Sequence, residues 1–107
     1  YFLDERKNEL VLGPYVGEEP LHVRILRGKG ICGRVAILKR TIIVPDVSKA
    51  KTYLACSPNV KSEIIVPILK DDKFIGELDI DSHKLANFQE EDKELLENIC
   101  AEVAKLF

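Results

Sequence analysis

The length and charge of this chain already limit what it can be. With 107 residues, 46% of them hydrophobic and 32% charged, it is long enough for one domain that needs neither disulfides nor a structural metal. A net charge of -2 supplies no basic field for nucleic acid or for an anionic membrane. No apolar run approaches the ~20 residues of a membrane span, and the basic start of a signal peptide is missing. The sequence therefore predicts a cytoplasmic protein.

From the N-terminus onward, the sequence first predicts two short strands. Residues 9–13 form an apolar run that ends at a Gly-Pro turn. From residue 21, apolar and polar residues alternate with the period of a strand. This alternation predicts that Val23 and Ile25 are buried and that His22 and Arg24 are exposed.

Three glycines, at positions 28, 30 and 33, then surround Cys32 and precede a predicted short helix over residues 34–40. Glycines at a helix start permit a tight turn and a close approach of the backbone. The spacing matches neither a P-loop nor a dinucleotide-binding loop, so a phosphate cradle is not expected.

The middle of the chain predicts a strand over residues 41–44 and a hairpin from residues 64–69 and 73–80. Asp46 precedes a short helical segment and is predicted to cap it. Along the second hairpin strand, three carboxylates alternate with apolar residues: Glu77, Asp79 and Asp81. Three like charges on one face are costly, which indicates that something uses them.

A C-terminal helix is predicted from residue 87 or 88 to the end of the chain. Its acidic first turn complements the helix dipole. The apolar positions fall on one stripe: Leu96, Ile99, Cys100, Val103 and Phe107. Cys100 is therefore predicted to be a core residue.

The other two cysteines, Cys32 and Cys56, have no such simple explanation. Neither a CxxC pair nor a cysteine–histidine cluster occurs, so the spacing predicts no metal site. Cys56 lies in a segment that Pro58 marks as a loop, and Glu63 follows it where an apolar strand begins. A thiol beside a strand-anchored carboxylate suits redox chemistry, although a lone cysteine is more commonly a buried structural residue.

Seven blocks of the sequence resemble the GAF-fold free methionine-R-sulfoxide reductases. They are LVLGPY at 10–15, HVRI at 22–25, GKGICG at 28–33, VPDV at 44–47, AC at 55–56, SEIIVP at 62–67 and IGELDIDS at 75–82. A general GAF module would not be expected to carry both loop cysteines together with the last two blocks. The resemblance implies an α+β, GAF-like fold, in which helices flank a central antiparallel sheet. It also implies a single domain over residues 1–107, with a further helix upstream of Tyr1.

The same resemblance implies roles for six residues. Cys56 matches the catalytic cysteine of the family, and Cys32 matches a cysteine that can form a disulfide with it. The matching substrate-binding acids are Glu63, Asp79, Asp81 and Asp46. The chain departs from the family at His22, where a third cysteine is common, and near Phe2, where tyrosine is usual.

The implied reaction reduces free methionine R-sulfoxide, with a Cys56 sulfenic acid and a Cys32–Cys56 disulfide as intermediates. A thioredoxin-type reductant would reopen the disulfide, no bound cofactor would be needed, and a homodimer is left open. Two alternatives remain at this point. A sensory GAF module that binds a small ligand would need no thiol pair, and a thiol redox sensor without turnover would leave the acids without a role.

Overall fold

A six-stranded sheet organises the computed structural model, which describes residues 1–50 and 59–107. The strands are β1 (Phe2–Asp4), β2 (Glu9–Val11), β3 (Arg24–Leu26), β4 (Ile42–Val44), β5 (Ser62–Lys70) and β6 (Lys73–Ser82). Their order is β3-β2-β1-β6-β5-β4, and all neighbours are antiparallel. Two α-helices, α1 (Gly30–Leu38) and α2 (Glu90–Ala104), accompany the sheet, with a 3-10 turn at Val47–Lys49. The predicted α+β architecture is confirmed.

The two helices cover opposite faces of the sheet. Ile65 of β5 belongs to a cluster that includes residues of α1, whereas Ile64 and Val66 belong to a second cluster with α2. Side chains of a strand point alternately to its two faces, so this division places one helix on each side. Because both faces are covered, β5 is buried over most of its length. In the part of the chain that the structure describes, no helix is long and apolar enough to cross a membrane.

The β5–β6 hairpin is the longest paired unit of the sheet, and it confirms the predicted hairpin. Both of its strands extend beyond the predicted bounds. Asp71 and Asp72 in the turn have φ of 50° and 69°, the left-handed conformation that a two-residue hairpin loop favours. The register places Glu63 directly opposite Asp81, so one face of the hairpin gathers carboxylates from both strands.

The predicted strand from residue 21 is only partly correct. Pairing with the three-residue β2 begins at Arg24, and a hydrogen bond from Leu12 N–H to the Val23 carbonyl precedes it. Ile25 is buried as predicted, but Val23 is 57% exposed because it lies before the paired segment. Alternation alone does not fix where the pairing of an edge strand starts.

The helix after the glycines also begins earlier than predicted, at Gly30. Gly33 therefore lies within its first turn, where a Cβ would come within 2.8 Å of the Gly28 nitrogen and the Leu26 carbonyl oxygen. The glycine thus permits the preceding turn to pack against the helix, which is the close backbone approach that the sequence predicts. The helix ends at Leu38, and Lys39 adopts the left-handed conformation.

The C-terminal helix α2 begins with a capping box between Gln89 and Asp92. Cys100 is 3% exposed, which confirms its predicted core position. The predicted stripe is wrong at its edges, since Ile99 is 43% exposed and Phe107 is 56% exposed. Ile99 lies off the face that packs on the sheet, and Phe107 follows the end of the helix.

Candidate functional site

The first turn of α1 lies over the acidic face of the β5–β6 hairpin. The Cys32 thiol donates a hydrogen bond to Asp79 Oδ2, with Sγ 3.4 Å from the oxygen. Cys32, Glu63 and Asp79 each place one thiol or carboxylate atom within 4.8 Å of the other two. These three residues, called the thiol–acid cluster below, come from three different elements. The structure thus brings three of the six predicted site residues together, and a fourth, Asp81, lies directly opposite Glu63 in the hairpin.

The carboxyl groups of this region cannot all be charged at neutral pH. Burial, together with hydrogen bonding to Asp79 and Asp81, raises the pKa of Glu63 far above its usual range. Partial burial and the charge of Asp79 raise the pKa of Asp81 to about 6. Neighbouring acids that share one site titrate as a group, and the most deeply buried member holds its proton. Glu63 is therefore a buried, protonated acid at neutral pH.

The Cys32 thiol is likewise neutral. Its burial, followed by the neighbouring acids Asp79, Glu77 and Glu63, raises the pKa of Cys32 well above the usual value. A thiol in this state is a weak nucleophile, because the thiolate is the reactive form. In the hydrogen bond to Asp79, the thiol proton of Cys32 points at a carboxylate that can accept it.

Glu77 also belongs to this site, although the sequence resemblance gives it no role. It is 2% exposed, and its buried carboxyl group interacts with the Cys32 thiol. Burial raises the pKa of Glu77 to about 8. The sequence did contain a signal, because the alternation along β6 predicts that Glu77 shares a face with Asp79 and Asp81. What no pattern along the chain could show is that its carboxyl group lies against the Cys32 thiol of α1.

A cavity of about 680 Å³ opens beside these groups. Glu77, Asp79 and Asp81 of β6 form one of its walls, while several residues of the segment 12–20 and Val60 form others. A mostly apolar cavity with a few convergent charged groups is typical of a small-molecule site. The arrangement suits a small ligand that has one apolar part and one cationic group.

Asp46 has a local structural role. It caps the 3-10 turn by accepting hydrogen bonds from the Ser48 backbone N–H at 3.0 Å and from the Ser48 hydroxyl at 2.7 Å. These bonds lower the pKa of Asp46. The predicted cap is confirmed. Asp46 is not among the described residues that line the cavity. Its substrate-binding role stays a prediction.

Two further residues singled out in the sequence are Cys56 and His22. Cys56 lies outside the described residues, so its catalytic role and its pairing with Cys32 stay predictions. His22 is partly buried, and its carbonyl accepts a hydrogen bond from the Tyr1 hydroxyl at 2.8 Å.

Comparison with known proteins shows similarity over nearly the whole chain. Residues 4–106 match the GAF domain family. The free methionine-R-sulfoxide reductase of Saccharomyces cerevisiae is 43% identical over 100 residues, which are 92% of this chain and 55% of the yeast protein. The chain spans 55% to 62% of the length of the curated relatives that it matches.

Two solved structures are similar to this chain at 39% identity and a TM-score of 0.94. One is the free methionine-R-sulfoxide reductase of Neisseria meningitidis in complex with its substrate, and the match covers 98% of this chain and 62% of that one. The other is the type II free methionine-R-sulfoxide reductase of Thermoplasma acidophilum, where the match covers 99% of this chain and 74% of that one.

Proposed function

This chain belongs to the GAF domain family, and it resembles the free methionine-R-sulfoxide reductases of that family over most of its length. We propose that it reduces free L-methionine (R)-S-oxide to methionine. The GAF-like fold predicted from the sequence is confirmed by the same matches. The observation that carries the proposed activity is the thiol–acid cluster beside the cavity. It combines a thiol, a protonated acid and a proton acceptor, which are the groups that thiol-dependent reduction of a sulfoxide requires.

The charges at the cavity wall support a free amino acid as the substrate. Asp79 and Asp81 are suited to bind the α-ammonium of free methionine sulfoxide, because charge-assisted hydrogen bonds to carboxylates are strong. A methionine sulfoxide within a peptide has no such ammonium. The cavity volume of about 680 Å³ lies within the range of small-molecule sites. The proposal therefore includes selectivity for the free amino acid.

In the proposed chemistry, the Cys56 thiolate attacks the sulfoxide sulfur. A buried acid, for which Glu63 is suited, protonates the oxygen as the sulfur–oxygen bond breaks. The oxygen leaves as water after it takes up a second proton from solvent, and water then attacks the Cys56 sulfur of the sulfur–sulfur bonded intermediate. This bond breaks, which releases methionine and a proton and leaves Cys56 as a sulfenic acid. Cys32 then attacks the sulfenic sulfur, which forms a Cys32–Cys56 disulfide and water. Asp79 can take the proton of Cys32 in this step, since it already accepts its hydrogen bond.

Regeneration of the two thiols needs two electrons from outside the chain. A dithiol reductant of the thioredoxin type can supply them by thiol–disulfide exchange, and no bound cofactor enters the scheme. Such reductants keep cytoplasmic thiols reduced, so the proposed reaction fits the cytoplasmic location that the sequence predicts.

The test of the activity is an NADPH-coupled thioredoxin assay on free methionine R-sulfoxide, its S epimer and a peptide-bound sulfoxide. We expect turnover of the free R epimer alone, loss of turnover in Cys56→Ser, and retained activity in Cys100→Ser. Equal turnover of the peptide-bound substrate would contradict the proposed substrate. A dead but well-folded Cys100→Ser variant would contradict the assignment of Cys56.

A second experiment tests the role of Cys32. The Cys32→Ser variant should still release about one equivalent of methionine in a single turnover, yet stall when thioredoxin is the reductant. Mass spectrometry of the oxidised wild-type protein should show a Cys32–Cys56 crosslink. A Cys56–Cys100 crosslink, or none, would overturn this scheme.

A further inference from the structure

His83 continues the polar wall of the cavity beyond the end of β6. Glu77, Asp79, Asp81 and His83 follow one another at every second position, and all four line the cavity. Side chains two positions apart point to the same side of a strand, so the histidine lies at the outer end of the acidic row. Its side chain is 60% exposed, which makes it accessible to a ligand that enters the cavity. Among the described residues that line the cavity, His83 is the only one with a basic side chain.

From this position we infer that His83 recognises the α-carboxylate of a free amino acid in the cavity, while Asp79 and Asp81 hold its α-ammonium. The inference rests on the proposed function, because it takes free methionine sulfoxide as the ligand. It adds a specificity-determining residue to that site. The sequence resemblance gives no role to His83, which directly follows the last matching block.

A zwitterionic ligand needs partners of both signs. The described cavity lining contains three carboxyl groups of β6 and that of Glu18, and ionised carboxyl groups repel a ligand carboxylate. An imidazole donates an N–H in either protonation state and adds a positive charge when it is protonated. Hydrogen bonds to an ionised partner are the stronger ones. Among the described lining residues, only the side chain of His83 can supply both the donor and the positive charge.

The spacing of Asp81 and His83 suits the two charged ends of an α-amino acid. Residues two positions apart in extended backbone are separated by roughly 6.6 Å. The nitrogen and the carboxylate oxygens of an α-amino acid lie about 3 Å apart, given standard bond lengths, and each can make a hydrogen bond of about 2.8 Å. One ligand can therefore reach both side chains. The imidazole also interacts electrostatically with Asp81, which agrees with this proximity.

The imidazole of His83 already faces one carboxylate. Its Nε2 lies 3.6 Å from Oε1 of Glu18, a residue of the segment 12–20 that also lines the cavity. The separation is longer than a hydrogen bond, so Nε2 can turn to a ligand carboxylate without losing one. Both side chains are at least half exposed, and such a pair contributes little to stability. The pair therefore leaves His83 free to adjust to a ligand.

Calorimetry on the reduced full chain with two ligands tests the inference. Methionine carries a thioether, an ammonium and a carboxylate, whereas methylthiopropylamine lacks only the carboxylate. We expect the wild type to bind methionine more tightly than the amine. His83→Ala should lose about tenfold in affinity for methionine, the equivalent of one hydrogen bond to a charged group, and should bind the amine as the wild type does.

His22→Ala is the matched control. His22 is the other histidine of the chain and is not among the described residues that line the cavity. This variant should bind methionine as the wild type does. NMR of the imidazole C–H groups gives a second readout in the wild-type protein. Methionine should move the signal of His83 and leave that of His22 in place, and the amine should move the His83 signal less.

Four results would each overturn the inference: no methionine binding, equal affinity of the wild type for both ligands, undiminished methionine affinity in His83→Ala, or a His83 signal that methionine does not move. The thioredoxin-coupled assay reports on the proposed activity separately, since it measures turnover of the wild type. An active wild type with any of these four results would refute the role of His83 alone, and an inactive wild type would refute the proposed activity.

Discussion

The thiol of Cys32, on the first turn of α1, donates its hydrogen bond to the carboxylate of Asp79, on the middle of β6. The contact joins residues 47 positions apart in the chain and sets the protonation of the thiol. After burial, the charge of Asp79 is the strongest influence that raises the pKa of Cys32.

Asp79→Asn should therefore lower the pKa of Cys32, because the substitution removes the charge that disfavours the thiolate. We expect alkylation of Cys32 to become severalfold faster at a fixed alkaline pH, and its pH profile to move to lower pH. Mass spectrometry of the Cys32 peptide measures the rate in metal-free protein. Asp71→Asn, which removes a carboxylate of the hairpin turn that is not among the charges acting on the thiol, should leave the rate unchanged. An unaltered pH profile in Asp79→Asn would contradict this assignment.

Glu77 should make the stability of the protein depend on pH. Its pKa is about 8 in the folded chain, against an ordinary value of 4.5, so between these pH values the folded state holds a proton that the unfolded state releases. Stability is then fully present at low pH and falls as pH rises towards 8, by up to about 1.4 kcal/mol per pH unit from this group. Glu77→Gln should flatten this decline and be more stable than the wild type at pH 8.

Urea unfolding at a series of pH values, with a chelator present, measures the effect at Glu77. Glu94→Gln, on the exposed side of α2, provides the matched control and should keep the wild-type slope. The same slope in Glu77→Gln as in the wild type would show that Glu77 is ionised in the folded protein.

Gly33→Ala should destabilise the fold although alanine is the better helix former. The added Cβ would lie 2.8 Å from two backbone atoms, the Gly28 nitrogen and the Leu26 oxygen, and backbone cannot move aside as a flexible side chain does. We expect a net loss of about 1–3 kcal/mol, the usual cost of overpacking. Thermal unfolding measures it, and Arg34→Ala at the exposed neighbour should change stability little. A Gly33→Ala variant more stable than the wild type would refute the close packing of this turn.

Asp81 should make ligand binding depend on pH if the cavity holds the ammonium group of free methionine. Its pKa of about 6 means that its charge is present at pH 7.5 and is lost as pH falls below 6. Methionine should then bind more weakly at pH 5, and Asp81→Asn should lose about tenfold in affinity at pH 7.5, the equivalent of one charged hydrogen bond.

Calorimetry with methionine measures this dependence. Asp71→Asn, in the hairpin turn, removes a distant carboxylate and should bind as the wild type does. Equal affinity of wild type and Asp81→Asn at pH 7.5 would exclude Asp81 as the ammonium partner.

Periodicity in the sequence predicted the local parts of this structure well. The two-residue turn at Asp71 and Asp72 and the alternation along β6 were enough to predict the hairpin and its acidic face. The helical stripe through Cys100 predicted that this thiol is core. These features depend on neighbours within a few residues, and a period of two or of 3.6 reports them directly.

The features that sequence periodicity did not predict depend on partners far along the chain. Val23 was expected to be buried, but the extent of β3 depends on the length of β2, which alternation does not encode. The contact between Cys32 and Asp79 depends on how α1 lies on the sheet. The resemblance named both residues without their contact. It gave no role to Glu77, whose burial beside the Cys32 thiol is apparent only when all its neighbours are in place.

The sheet order carries a consequence for the folding pathway. β1 and β6 pair through Phe2 and Gly76, so joining β1, β2 and β3 to the other three strands closes a loop of more than 70 residues. The chain loses the conformational entropy of closing such a loop before the contacts between these strands stabilise it. The β5–β6 hairpin forms from neighbouring residues, and we expect it to appear first. The carboxylates of Glu63 and Asp79 would then be held together, in mutual repulsion, before α1 supplies the thiol that lies over them in the native state.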